Sequence, residues 1–166
     1  MFFAILGAKN IYIVGVRSAA GLAQFLNFYF SLMFKNVHLV SILSISEMFE
    51  EIMHIDKGDV MIGISFPRYS RRTVTALRYA ASRGGTVISL TDSEDSPLAA
   101  LSSITSLARS DMLSFVDSLV APMSLINALI LALGMKKQEE MEQTFENLEH
   151  LWDEYNVYEK PEDFRP

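Results

Sequence analysis

Ile11-Tyr12-Ile13-Val14-Gly15-Val16 is an almost uninterrupted apolar run, and Val60-Met61-Ile62-Gly63-Ile64 repeats its character further along the chain. Strands have this composition when both of their faces are covered, as in a parallel sheet packed between helices. The second of these stretches belongs to a run at 59–65, and further runs rich in β-branched residues lie at 37–41, at 86–91 and, more weakly, at 103–108. The sequence therefore predicts a sheet of five short strands.

Segments with a helical spacing of apolar residues separate these runs. Ser44 or Ser46 is a candidate N-cap for the second segment, and Gly84 after Arg83 is a C-cap signal for the third. Regular alternation of strands and helices predicts a doubly wound α/β fold. The helical segments are residues 19–34, 46–55, 71–83 and 98–101.

The chain changes character after the fifth strand. Residues 115–133 are apolar almost all round, which predicts a helix buried in the core or in an oligomer interface. An acidic amphipathic helix should follow, because apolar residues then recur every three or four positions. Residues 156–166 are polar and look loosely ordered. We therefore divide the chain into a domain at 1–135 and an acidic C-terminal helix and tail at 136–166. The apolar stripe of that helix is Met141, Phe145, Leu148, Trp152 and Tyr155.

Composition excludes several classes of protein. With 166 residues, of which 50% are hydrophobic, the chain is long and apolar enough to bury a core, so it is not intrinsically disordered. The absence of cysteine excludes a disulfide scaffold and a cysteine-based zinc site. The net charge of −6 arises entirely after residue 135, because residues 1–135 hold ten basic and ten acidic side chains. Without a basic face, the chain is a poor candidate for binding DNA directly.

Two apolar stretches invite a membrane or export interpretation. Residues 1–7 lack a basic region before their apolar residues and are too short for a signal peptide. Residues 119–133 fall short of the roughly 20 apolar residues that a membrane span needs. We therefore expect a cytoplasmic protein without a membrane anchor.

Hydroxyl side chains stand directly after three of the predicted strands, at Ser18, at Ser65 and Ser70, and at Thr91. Ligands of open parallel sheets bind at the carboxyl ends of the strands, where helix starts offer backbone N–H groups to anions. Arg68 adds a guanidinium group to the loop after the third strand, as do Arg71 and Arg72. An anion site and simple helix capping both fit these residues.

Other sites are disfavoured by their missing signatures. Gly15-Val16-Arg17-Ser18-Ala19-Ala20 has Arg where a dinucleotide-binding loop needs its second glycine, and no P-loop or nucleophile-elbow motif is present. His38, His54 and His150 do not have metal-ligand spacing. We therefore expect no metal ion and no cofactor.

The stretch Gly58-Asp59-Val60-Met61-Ile62-Gly63-Ile64-Ser65 is followed by Arg71 to Gly84, by Val87-Ile88-Ser89-Leu90-Thr91-Asp92 and by Ser96-Pro97-Leu98-Ala99. This series resembles the sugar isomerase (SIS) domain, most closely that of RpiR/MurR-type bacterial transcription regulators. The resemblance extends over about residues 8–133. It implies a flavodoxin-like sheet of five parallel strands that dimerises and binds a phosphosugar.

The resemblance also implies which residues hold the phosphate. In the family, hydroxyls after the first and third strands do so, which corresponds here to Ser18, Ser65 and Ser70, with Thr73 and Thr91 nearby. The family's third loop has the pattern S-x-S-G-x-[TS], whereas this chain has Pro67 in place of the second serine and Arg68 in place of the glycine. Arg68 either replaces the lost hydroxyl with a charge-assisted contact or blocks the pocket.

Three hypotheses follow. The first is a phosphosugar-sensing, dimerising effector domain of a transcription regulator without a catalytic residue, which reaches DNA only through a helix-turn-helix domain not present in this chain. The second is a phosphosugar isomerase, whose base would come from Glu47, Glu50, Glu51 or His54, supplied within one chain or across a dimer interface. The third is a dimerisation domain that has lost its ligand, as Pro67 and Arg68 would allow.

Overall fold

The computed structural model describes residues 1–40, 43–113 and 116–159. Its centre is an all-parallel five-stranded sheet in the order β2-β1-β3-β4-β5, which confirms the predicted flavodoxin-like α/β fold. After β1 the chain adds β2 on one side of it and then β3, β4 and β5 on the other side. The direction in which strands are added therefore reverses between β1 and β3. The strands are β1 (Ile11–Gly15), β2 (Val37–Leu39), β3 (Val60–Ile64), β4 (Thr86–Thr91) and β5 (Ile104–Leu107).

Helices cover both faces of the sheet. Along the chain, a short antiparallel pair, β6 (Met112–Leu113) and β7 (Val116–Asp117), comes between β5 and the C-terminal helices. The helices are α1 (Phe2–Leu6), α2 (Ser18–Met33), α3 (Ile45–Ile52), α4 (Arg71–Ser82), α5 (Val120–Lys136) and α6 (Gln138–Glu154), with a single 3₁₀ turn at Ala99–Leu101.

The core is split in two by the sheet. Every residue of β1 and β3 is buried, as the apolar runs predicted. Because side chains alternate along a strand, Ile11 and Ile13 pack with α2 and α5, whereas Tyr12 and Val14 pack with α3 and α4. The two central strands therefore need apolar side chains on both faces.

A glycine brings α2 close to the sheet. A Cβ atom on Gly15 would lie 2.6 Å from the carbonyl oxygen of Ala19 and 3.0 Å from the Cβ of Ala23. No side chain fits in that space, so the residue at the end of β1 has to be glycine. The close approach places the first turn of α2 directly beyond the carboxyl end of β1.

The observed elements differ from the predicted ones mainly at their ends. The strand predicted at 37–41 ends at Leu39, and Ser41 lies outside the described residues. The helix predicted at 98–101 is the 3₁₀ turn. The helix predicted from Phe115 starts at Val120, because residues 116–117 pair with β6; Phe115 itself lies outside the described residues.

One face of α5 is left uncovered by the described residues. Ile126, Leu129 and Leu133 are buried in the core, but Leu131 is 67% exposed and Met135 is 79% exposed. Helix α6 contains no fully buried residue and packs against the core through partly buried Met141. The apolar character of α5 therefore reflects a core-facing stripe together with an open apolar surface.

No single helix in residues 1–40, 43–113 and 116–159 is long and apolar enough to cross a membrane. Helices α5 and α6 satisfy the length and composition criteria only as a pair, and they are bent by 97° at their junction.

Candidate functional site

A cleft of about 350 Å³ opens at the carboxyl ends of β1 and β3, where the strand order reverses. This is the position at which open α/β sheets bind their ligands. The structure brings together four of the six residues predicted for the anion site. The polar residues that line the cleft are Arg17, Ser18, Ser65, Arg68, Ser70 and Asp117.

Ser65 anchors the floor of the cleft. It directly follows β3 and is 5% exposed. Its Oγ accepts a hydrogen bond of 3.1 Å from the backbone N–H of Ser70, which fixes the loop between β3 and α4. Because a hydroxyl both donates and accepts, the Ser65 proton stays available for an anion.

Two helices start at this cleft without a side-chain cap. Neither Arg17 at the start of α2 nor Ser70 at the start of α4 makes a side-chain capping bond, and neither helix has an acidic residue in its first turn. Helix α3 differs, because the Ser44 hydroxyl accepts a bond of 3.1 Å from the N–H of Glu47. Two helix starts with uncapped N–H groups and positive partial charge therefore meet at the cleft.

Basic side chains border the same space. Arg68 is exposed on the loop after β3 and lines the cleft. Arg17 also lines the cleft, and its backbone φ is 59°, a conformation that favours glycine. Arg17 was not among the predicted site residues, although the sequence places an arginine between the first strand and a helix start.

Asp117 brings an acidic group into the cleft. Its carboxylate accepts a hydrogen bond of 2.7 Å from the Ser18 hydroxyl, across a separation of 99 residues. Because only the pairing of β7 with β6 places Asp117 there, no local pattern in the sequence pointed to it. An anion that binds at the start of α2 therefore meets a carboxylate already in place.

The remaining two predicted residues do not line the cleft. Thr73 lies inside α4 with 0% exposure, and its Oγ1 has no hydrogen-bond partner within the described part of the chain. Thr91 is also 0% exposed, and its hydroxyl donates to the Asp92 carboxylate at 3.3 Å. Both threonines are therefore buried side chains outside the lining of the cleft.

The loop after β4 forms a hydrogen-bonded pair with the loop after β3. The Tyr69 hydroxyl donates to the Asp92 carboxylate at 2.9 Å. Burial, together with this hydrogen bond and the charge of Asp92, raises the pKa of Tyr69 to about 12. The Tyr69–Asp92 hydrogen bond therefore holds the loop after β3 in place at a point next to Ser70.

The candidate acid–base residues of the isomerase hypothesis do not line the cleft. Glu47, Glu50, Glu51 and His54 are exposed, on α3 or just after it. Among the described residues, no three His, Asp or Glu side chains come together in a way that would hold a metal ion. What the cleft offers is hydroxyls, helix starts and guanidinium groups, which are groups that bind anions.

Comparison with known families agrees with this geometry. The sequence profile of the SIS domain matches residues 4–132. The chain belongs to the SIS domain family. This membership confirms the resemblance noted in the sequence and extends over the sheet, the cleft and most of α5.

Two similar proteins are transcription regulators. An uncharacterized HTH-type transcriptional regulator of Caldanaerobacter subterraneus is 31% identical over 99 residues, which cover 57% of this SIS domain chain and 35% of the relative. The chain thus spans about a third of the relative's length. The sugar isomerase domain of an RpiR transcription factor from Sphaerobacter thermophilus superposes with a TM-score of 0.85 at 26% identity, covering 90% of this chain and 83% of that one.

A third similar protein has a structure that contains a ligand. The Vibrio vulnificus NanR protein complexed with ManNAc-6P has a TM-score of 0.77 at 19% identity, covering 90% of this chain and 58% of that one. At this identity the comparison supports the fold.

Proposed function

We propose that this SIS domain is the ligand-sensing effector domain of a transcription regulator and that it binds a sugar phosphate. The observation that carries the proposal is the convergence of two uncapped helix starts, the Ser65 hydroxyl and Arg68 on one cleft of about 350 Å³. Backbone N–H groups, hydroxyls and guanidinium groups together bind phosphate without a metal ion. Ser18, Ser65, Arg68 and Ser70 would contact the phosphate, while Thr73 and Thr91 would support the loops from behind.

The regulatory part of the proposal rests on the similar proteins and on α5. Two of the similar proteins are regulators, one of them of the HTH type. The exposed apolar residues of α5, such as Leu131 and Met135, support self-association into a homodimer or a larger homo-oligomer. Ligand binding would shift the balance between dimer arrangements and so change the spacing of DNA-binding heads outside this chain. Such a domain would work in the cytoplasm.

We also propose that the chain divides into a domain at 1–135 and an acidic helix and tail at 136–166. Helix α6 carries much of the net negative charge and has no fully buried residue, whereas α5 contributes four buried residues to the structure. Removing residues 136–166 should therefore leave a folded domain that still binds ligand.

A thermal-melt screen tests the proposed function. The panel consists of sugar phosphates, the corresponding free sugars and inorganic phosphate. A ligand at 100 times its Kd should add about 2.7 kcal/mol to the free energy of unfolding, which corresponds to a shift of several degrees. We expect a shift with a sugar phosphate and not with its free sugar.

Two serine variants locate the binding site. Ser65→Ala should abolish the shift, because it removes a hydroxyl from the cleft floor. Ser31→Ala is the matched control, because Ser31 lies on the exposed side of α2 and its hydroxyl donates to the Asn27 carbonyl. The absence of a shift with every compound would contradict the sensing function and favour a dimerisation domain without a ligand. Turnover of a sugar phosphate that binds would favour the isomerase.

A further inference from the structure

We propose, building on the function proposed above, that Asp117 is a built-in competitor for the phosphate position and thereby sets the affinity of the cleft. Its carboxylate holds the Ser18 hydroxyl that a phosphate at the start of α2 would need. A sugar phosphate would therefore have to displace Asp117 in order to bind fully.

Asp117 and phosphate compete for the single hydroxyl proton of Ser18. A serine hydroxyl has one O–H to donate, and the Ser18 proton is directed at Asp117 over a distance of 2.7 Å. A bond to an ionised acceptor is about twice as strong as a neutral one, so it is not given up freely. Phosphate bound at the same hydroxyl leaves Asp117 without its hydrogen-bond donor in the described structure.

Asp117 and phosphate also compete for the positive partial charge at the start of α2. Helix α2 has no acidic residue in its own first turn, and Asp117 supplies a carboxylate to that helix start from β7. The positive end of a helix stabilises an anion there, and Asp117 already occupies this position. A phosphate and a carboxylate on one hydroxyl repel each other, because both are negatively charged.

The competition predicts a gain of affinity when the charge is removed. Asp117→Asn keeps an oxygen that can accept from Ser18 but carries no charge, so inorganic phosphate should bind about tenfold more tightly, the equivalent of about 1.4 kcal/mol. The gain should shrink as salt is added, since ions screen the repulsion. Asp111→Asn is the control, because Asp111 is an exposed aspartate on the same connection that does not line the cleft.

Calorimetric titration of inorganic phosphate into the full chain and both variants measures this effect. Tighter binding by Asp117→Asn alone supports the inference. Unchanged or weaker binding overturns it, and weaker binding would mean that Asp117 holds the ligand. If neither the wild type nor Asp117→Asn binds phosphate, the inference fails, and the thermal-melt screen with sugar phosphates decides the proposed function separately. If the wild type binds and Asp117→Asn gains nothing, only the inference fails.

Hydrogen exchange on the wild-type protein provides a test that needs no substitution. Displacement of Asp117 should free the segment at residues 116–119, so its amides should exchange faster when phosphate is bound. Slower exchange there would show that phosphate and Asp117 bind together, which would overturn the inference even if the variant failed to fold.

Discussion

The two ends of α2 lie at two polar clefts of similar size, which face helix ends of opposite partial charge. The helix starts at the cleft of about 350 Å³ at the carboxyl ends of the strands and ends at a cleft of about 380 Å³ near their amino ends. The second cleft has more cationic side chains, because Lys9, Lys35 and Lys137 line it. Counting charges alone would place an anion there.

The helix direction and the local partners favour the other cleft. The carbonyl groups at the end of α2 carry negative partial charge, which favours cations and disfavours phosphate. Lys9 donates to the Lys57 carbonyl at 3.2 Å, while Lys137 pairs with Glu140 and lies 5.2 Å from the centre of the Phe34 ring. At the start of α2 the partial charge is positive, and in the same cleft the Ser65 hydroxyl has no acceptor for its proton among the described residues. For phosphate binding, we therefore expect hydrogen-bond donors held in place by the fold to matter more than the number of positive side chains.

The largest effect is expected where α2 meets β1. Gly15→Ala would place a Cβ 2.6 Å from a backbone carbonyl, so α2 has to move, and overpacking of this kind costs about 1–3 kcal/mol or more. Gly21→Ala lies in the same helix with open space around it and should stabilise by up to about 1 kcal/mol. Urea unfolding measures both changes. Equal stability of the two variants would contradict the close approach.

The second largest effect should distinguish the two clefts directly. Arg68→Gln should weaken phosphate binding by about tenfold, because it removes a charge-assisted contact. Lys35→Gln makes a comparable change at the other cleft and should leave binding unchanged. Calorimetric titration with phosphate measures both. Tighter binding by Arg68→Gln would show that Arg68 blocks the pocket.

A smaller effect is expected from the backbone of Arg17. Glycine accepts a φ of 59° without strain, so Arg17→Gly should stabilise the fold by about 1 kcal/mol while it weakens phosphate binding. Asn156→Gly is the control, since Asn156 also has a positive φ of 49° but lies after α6. That control should leave phosphate binding unchanged. Loss of stability in Arg17→Gly would mean that the arginine side chain holds the loop.

The smallest effect concerns Tyr69 at high pH. Its pKa is raised from 10.0 to about 12, so the folded state keeps a proton that the unfolded state loses between these values. Stability from this group is therefore complete below pH 10 and falls as the pH rises towards 12. Tyr69→Phe should reduce the fall in melting temperature over this range. An unchanged alkaline slope would contradict the role of the Tyr69–Asp92 hydrogen bond.

The sheet was predictable because its signal is local. A buried parallel strand has to be apolar along its whole length, and the runs at 11–16 and 60–64 show this directly. The family resemblance implied the flavodoxin-like type of sheet, since parallel strands with similar composition do not reveal which neighbours they pair with.

The site was predictable only in part. Ser18, Ser65, Arg68 and Ser70 follow strands whose carboxyl ends meet at one edge, so the topology brings them together. Asp117 reaches the cleft through the β6–β7 pair, which is too short to show a strand pattern. The burial of Thr73 depends on how α4 is rotated, a property that the loop sequence does not contain.

Amide chemical shifts during a titration with inorganic phosphate test the central claim most directly. The account predicts that the changes concentrate on Ser18, Ser65, Ser70 and the residues next to Asp117, at the carboxyl ends of β1 and β3. Changes concentrated on Lys9, Lys35 and Lys137 at the opposite end of α2 would contradict it.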